Sequence, residues 1–404
     1  MKNIILLLLV CIFFSCSNQK NEVATEPAAA NYISAPAKSP SSVPHLFTDK
    51  HGVVYLSWIE KTDTVSLFKF SRLQANQWSE PQLIASGSTW FVNWADYPMI
   101  ATDGGENFIS HILDKSGEGT YAYDIKMFTS TDKGANWTSP FTLHNDGKEA
   151  EHGFVSLVPY ANNVFVAWLD GRNTVMEGMD QRNMSDHDHH GAMSLRAAVM
   201  DYSGNKINEW ELDNKTCDCC QTTAVITDNG PIVIYRDRSD DEIRDMSIVR
   251  LINGTWTEPQ AVFKDNWKIS GCPVNGPRAS AIGNNISVAW FSAPEGKPVV
   301  NVTFSHDGGA TFSKPLRVDE GKPNGRVDVT QIDDNACMVS WMEDGNIKVV
   351  KVNADGSKGS SITIAASSEA RSSGFPQMTR AGKELIFAWT DDKEKIVKVA
   401  SLPI

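Results

Sequence analysis

The sequence predicts an all-β fold, a single β-propeller, and three observations carry that prediction. A short phrase containing an aromatic residue recurs seven times along the 404 residues. It reads Leu56-Ser57-Trp58-Ile59, Ile109-Ser110-His111-Ile112, Val166-Ala167-Trp168-Leu169, Ile232-Val233-Ile234-Tyr235, Val288-Ala289-Trp290-Phe291, Val339-Ser340-Trp341-Met342 and Phe387-Ala388-Trp389-Thr390. The aromatic positions are spaced 53, 57, 67, 55, 51 and 48 residues apart. A second phrase follows the third strand of several repeats: Trp78-Ser79-Glu80-Pro81, Trp137-Thr138-Ser139-Pro140, Trp256-Thr257-Glu258-Pro259 and Phe312-Ser313-Lys314-Pro315. Between them lie short apolar runs bounded by turn residues, as in Thr48-Asp49-Lys50-His51-Gly52 and Thr227-Asp228-Asn229-Gly230. Self-similarity at a period of about 50 residues, built from short strands, is the mark of this architecture.

Composition fits a folded domain, with 41% hydrophobic and 21% charged residues. A net charge of −12 disfavours a nucleic-acid partner, which needs a basic face to neutralise phosphate. Residues 1–16 read as an export signal: Lys2 is the positive start, and Ile4 to Phe14 form an apolar run too short for a stable membrane span. Ser15-Cys16-Ser17 resembles a bacterial lipoprotein cleavage site, with Cys16 the residue that is lipidated. The expectation is a cell-envelope protein held to the membrane by a lipid anchor only, on the periplasmic or the surface side. Simple secretion is the alternative. Residues 17–40, rich in Asn, Ala, Pro, Ser and Glu, read as a flexible tether, and the propeller occupies residues 41–404.

Each repeat accommodates four strands, the second carrying the aromatic. The last unit, from Phe375 to Ile404, has room for three. A strand near Tyr32-Ile33-Ser34 completes it and closes the ring, leaving no open sheet edge. Seven four-stranded blades are therefore expected, with six as the alternative, in a monomer.

Two turns carry the full pattern Ser-x-Asp-x-Gly-x-x-aromatic: Ser130, Asp132, Gly134, Trp137, and Ser305, Asp307, Gly309, Phe312. Asp bonds backbone N–H groups within its own turn, Gly accepts positive φ, and the aromatic packs between sheets. On these residues the chain resembles the BNR (Asp-box) sialidase superfamily, over most of residues 41–404. In that superfamily the boxes are structural, so the resemblance implies fold before chemistry. It further implies an arginine triad for a substrate carboxylate, an Asp acid and a Tyr–Glu nucleophile pair. No motif places these here: the stretch Ser42-Val43-Pro44-His45 lacks the family's first arginine. Tyr235 and Glu242 are the catalytic candidates. The cysteine and arginine phrases also look like those of exported bacterial sialidase-like proteins.

Sorting by propeller geometry sends the Asp-boxes to one face and the chemically unusual segments to the other. Thr216-Cys217-Asp218-Cys219-Cys220-Gln221 opens the fourth blade, and Gly271-Cys272-Pro273-Val274-Asn275-Gly276 opens the fifth. Their four thiols can converge near the channel mouth. Disulfides suit an exported protein; a soft-metal or redox site suits the dense Cys-x-Cys-Cys spacing. The longest interval holds Met184, His187, His189 and His190, with Met193 just beyond. Imidazole with thioether suits copper, imidazole with carboxylate suits zinc, and a solvated polar insertion is the bland alternative. Arg236, Arg238, Arg278, Arg326 and Arg371 fall at or near the same face, with Asn275. Arginine forks bind carboxylates or phosphates, whereas pairing with Asp237, Asp240 and Asp245 is the structural alternative. The functional expectation is an anionic small molecule or glycan bound at this face. An exo-sialidase and a copper-handling or other soft-metal protein are the alternatives.

Overall fold

Seven antiparallel sheets make up the computed structural model, which describes residues 29–74, 77–175 and 191–404. Each is one blade. Blade 1 holds Ser41–Thr48, Val54–Lys61, Ser66–Gln74 and the outer pieces Gln77–Trp78 and Gln82–Gly87. Blade 2 holds Ile100–Thr102, Phe108–Lys115, Tyr123–Ser130 and Phe141–Thr142; blade 3 holds His152–Tyr160, Asn163–Asp170, Met193–Met200 and Lys206–Thr216. Blade 4 begins with Thr223–Thr227 and Gly230–Arg236, blade 5 with Arg278–Ile282, and blade 6 with Pro323–Asp333. In blade 7 the sequence-late strands Gln377–Ala381, Glu384–Asp391 and Ile396–Pro403 are joined by Asn31–Ile33, which pairs with residues 399–401. The expected seven blades and the N-terminal closing strand are both present.

The recurring phrase has a packing cause. Trp58, Trp168, Trp290, Trp341 and Trp389 are at most 1% exposed. A buried indole needs an acceptor for its N–H. Side chains two apart on a strand share a face; four of these strands place an acid at that offset, and three of the indoles donate to it. Trp58 donates to Glu60 at 2.9 Å, Trp168 to Asp170 at 2.9 Å and Trp341 to Glu343 at 2.7 Å. Trp290 uses Asp265 at 2.6 Å instead. The motif is thus apolar–aromatic–x–acid, and the tryptophans fill the space between neighbouring blades.

The Asp-boxes behave as their chemistry requires. Ser130 donates to Asp132 at 2.8 Å, Asp132 accepts the Asn136 N–H at 2.9 Å, and Gly134, at φ +80°, donates its N–H to Ser130. A Cβ on Gly134 would lie 2.5 Å from Phe70, so the residue is fixed by a close approach as well as by φ. Ser305, Asp307 and Gly309 repeat the arrangement.

Inner strands are tied to one another at the channel mouth by side chains that cap bulged backbone. Asp96 accepts the N–H of Phe154 at 2.8 Å, Gln221 accepts that of Gly276 at 2.9 Å, and Asn275 accepts that of Arg326 at 2.7 Å. Phe154 and Arg326 both sit at positive φ, 52° and 50°. A Cβ at Gly153 would fall 2.1 Å from Asp96, and one at Gly325 would fall 2.3 Å from Asn275. These glycines let the blades approach.

Candidate functional site

One face of the ring carries a cavity of about 340 Å³. Its walls come from the links between blades and from the loop between the second and third strands of blade 2. Trp94 enters from the link between blades 1 and 2, Glu151 from the next link, and Asp218 and Cys219 from the link into blade 4. Cys272 and Arg371 come from the links into blades 5 and 7. Tyr123 is the first residue of its strand and the Asp-box serine Ser130 the last, about 24 Å apart at an extended rise. The boxes and the cavity therefore occupy opposite faces.

At the floor, the Tyr123 hydroxyl donates to Glu151 Oε1 at 2.8 Å. Burial pushes the Glu151 carboxyl up to about 8, with the charges of Asp96, Asp218 and Cys272 adding to the effect against the hydrogen bond from Tyr123. Asp96, buried behind Tyr123, is pushed up to about 7 by burial, although the Phe154 N–H opposes this. Phe91 stacks on the Tyr123 ring at 4.3 Å and Trp94 on Phe375 at 5.6 Å, so both aromatic walls are held by packing. The guanidinium of Arg371 lies 5.9 Å from the Trp94 ring.

The remaining arginines are engaged elsewhere. Arg236, 1% exposed, donates to the carbonyl oxygens of Asn275, Arg244 and Phe291 and stacks on Trp267. Arg326 donates to Ser373, Gly374, Glu369 and Ala370 beneath Trp94. Arg278 pairs with Asp328 at 3.1 Å and donates to the Tyr97 hydroxyl. Arg238 bridges Glu242 and Asp218, and Arg244 holds the other oxygen of Glu242. The Tyr235 hydroxyl donates to Asp213. Tyr235 is the aromatic of its repeat and fills the inter-blade slot that tryptophan takes in other copies, so it and Glu242 are not brought together as a pair. Asn275 is spent on Arg326, Pro273 and Asn324. Tyr123 and Glu151 were not singled out from sequence. The one available signal was a Tyr at the loop between the second and third strands of blade 2 and a Glu on the link into blade 3.

The cysteines do converge. Cys217, Cys219 and Cys220 present sulfurs within 4.8 Å of one another, Cys217 and Cys220 being 3.6 Å apart. Cys272 lies near enough to act on the Cys219 thiol, and all four are free thiols. Burial acts to raise the Cys217 thiol, but hydrogen bonds from Cys219 and Cys220 and the guanidinium groups of Arg244 and Arg236 outweigh it. They hold it well below its ordinary value. Arg244 Nη1 lies 3.2 Å from the sulfur. Cys337 is buried in blade 6, remote in sequence from this group. Met193 is buried at the start of its strand, whereas Met184, His187, His189, His190 and Cys16 lie outside the described residues.

A second polar group lies between blades 2 and 3. His144 and His152 stack at 3.6 Å, and Asp146 contacts both rings, at 2.9 and 3.1 Å. Asp124 and Asp170 complete donor sets with the histidines. Here Arg172 already supplies the cation: it grips Asp170 at 2.7 Å and reaches Asp146 at 3.3 Å.

The family model of the BNR repeat-like domain matches residues 60–387, and the chain belongs to that family. No curated protein is similar enough to match. Among solved structures, the polysaccharide lyase Uly1 is similar at TM-score 0.53 and 10% identity, over 95% of this chain and 94% of that one. The α-L-arabinanase of Penicillium chrysogenum, solved with arabinobiose, gives 0.48 and 11%, over 94% and 98%. The NanB sialidase of Streptococcus pneumoniae gives 0.46 and 14%, over 94% and 71%. At such identities the likeness is one of fold: a sialidase-like propeller whose structural neighbours include glycoside hydrolases and a lyase.

Proposed function

We propose that the cavity binds an anionic glycan unit, a sugar acid, through Arg371 and Glu151 against the Trp94 and Tyr123 rings. The observation that carries this reading is that Glu151, Arg371, Trp94 and Tyr123 line one cavity, where burial raises the Glu151 carboxyl. A carboxyl kept neutral at pH 7 does not repel an anion and donates a hydrogen bond to it. Arginine supplies the charge, and aromatic walls suit the apolar face of a sugar. A volume of about 340 Å³ is at the lower end for small-ligand sites. The test is calorimetric titration with N-acetylneuraminic acid, a uronic acid and their uncharged sugars. Binding of an acid that Arg371→Ala weakens at least tenfold supports the reading. Equal affinity for charged and uncharged sugars, or none for either, overturns it.

A second reading, an exo-sialidase-type hydrolase, is favoured by one contact, Tyr123 to Glu151 at 2.8 Å. That is the residue pair the superfamily resemblance calls for, and in this proposal it takes the place of Tyr235 and Glu242. Release of fluorophore from a methylumbelliferyl sialoside, abolished in Tyr123→Phe, is its expected outcome. Export and lipid anchoring through Cys16 are proposed from the leader sequence. Incorporation of labelled palmitate, lost in Cys16→Ala, tests them.

A further inference from the structure

We propose that Cys217, Cys219 and Cys220 form a three-thiolate site for one Cu(I) ion in the wall of the cavity, which Cys219 lines. Cys272 stands at its outer edge.

The sequence places this triad where a strand ends. Lys206–Thr216 closes blade 3 and Thr223–Thr227 opens blade 4, and the Cys217 N–H donates to Arg236 O at 3.0 Å. The intervening residues leave the extended conformation, so side chains that would alternate along a strand gather on one side. The spacing is informative. Two thiolates on one metal at about 2.3 Å each lie about 4.0 Å apart at the trigonal angle of a three-coordinate ion, while a disulfide needs about 2.05 Å. The 3.6 Å between Cys217 and Cys220 is within a few tenths of an ångström of the shared-metal arrangement and far from a disulfide. Three sulfurs in mutual reach satisfy a soft, three-coordinate cation; zinc in structural sites takes four ligands.

Charge supports the same assignment. Arg244 and Arg236 act on the Cys217 sulfur, and Arg238 reaches the neighbouring Asp218; the carboxylates that meet these guanidinium groups are Glu242, Asp218 and Asp265. The Arg236 donors end on carbonyl oxygens, and the carboxylate that acts on it, Asp265, is not hydrogen-bonded to it. A buried cation of that kind is costly unless a negative group lies near. A Cu(I) tris-thiolate is such a group, and Arg244 at 3.2 Å from Cys217 is its outer-shell donor. Cys219 and Cys272 line the open cavity, which supplies a path for the ion.

The test loads the full chain with Cu(I) anaerobically and competes it against bicinchoninate. One retained equivalent is expected, with X-ray absorption reporting three sulfur neighbours. Retention falls about a hundredfold or more in Cys217→Ser, Cys219→Ser or Cys220→Ser. It falls about 10- to 100-fold in Arg244→Gln, as for other outer-shell groups, and is unchanged in Cys337→Ser. The X-ray measurement needs no variant, so a misfolded mutant does not blunt the test. Three results overturn the proposal: no copper retained by the wild-type chain, fewer than three sulfurs around it, or Zn(II) retained in preference with Cys272 required.

Discussion

Arg236 on blade 4 and Trp267 on the link from blade 4 into blade 5 stack with the guanidinium 4.8 Å from the ring centre. The same guanidinium donates to carbonyl oxygens of Asn275 and Phe291 on the next blade, at 2.8 and 2.7 Å. This arginine joins blades. Removing it leaves carbonyls unpaired in a buried position, at a cost of about 3 kcal/mol or more. Arg236→Ala is therefore expected to lower the denaturation midpoint sharply. Arg371→Ala, on an exposed residue, leaves the midpoint unchanged within error and weakens sugar-acid binding instead. Equal destabilisation by the two variants, measured by chemical denaturation, would refute the division.

Sugar-acid affinity should fall as pH rises through about 8, where Glu151 ionises and begins to repel the ligand. Glu151→Gln stays neutral and keeps a donor and an acceptor for Tyr123. Its affinity is expected to be flat across that interval. A wild-type profile as flat as the variant's counts against a neutral Glu151.

Asp96 makes a stability prediction of definite sign. Its carboxyl stands at about 7 in the folded chain against 3.8 as a free group. The folded state keeps a proton that the unfolded state has released, so stability falls as pH rises between those two values. Each unit is worth about 1.4 kcal/mol, making the total a few kcal/mol. Asp96→Asn retains an acceptor for the Phe154 N–H and removes the titration. Its melting temperature should exceed that of the wild type above pH 7 and change less between pH 4 and 7. Thermal melts across that range decide it.

The fold was legible because its signal is repeated. Seven aromatic positions near one period, with Trp58, Trp168 and Trp341 each served by an acid two residues on, describe one packing solution reused around a ring. The cysteine group was legible because Cys217, Cys219 and Cys220 are dense in sequence. The arginines were harder to place, since a string of residues does not reveal whether a guanidinium meets solvent or backbone oxygen; Arg236 and Arg326 meet backbone. Tyr123 and Glu151 went unnoticed for the opposite reason. They are 28 residues apart, belong to no motif and are joined only when blades 2 and 3 pack.

The closing strand gives the last prediction. Asn31, Tyr32 and Ile33 pair with Ser401, Ala400 and Val399, and Tyr32 meets Trp389 edge-on at 5.9 Å. Ile396–Pro403 is otherwise an outer strand with its N–H and C=O groups unpaired. Such an edge recruits other chains. A chain beginning at residue 38 should melt several degrees below one beginning at residue 29 and should associate as concentration rises. A synthetic peptide spanning residues 29–38 added in trans is expected to raise the midpoint again, because pairing, not chain continuity, supplies the stability. If the shorter chain melts with the longer one and stays monomeric in sedimentation, Asn31–Ile33 is ornamental to the ring, and closure rests on side-chain packing between blades 7 and 1 alone.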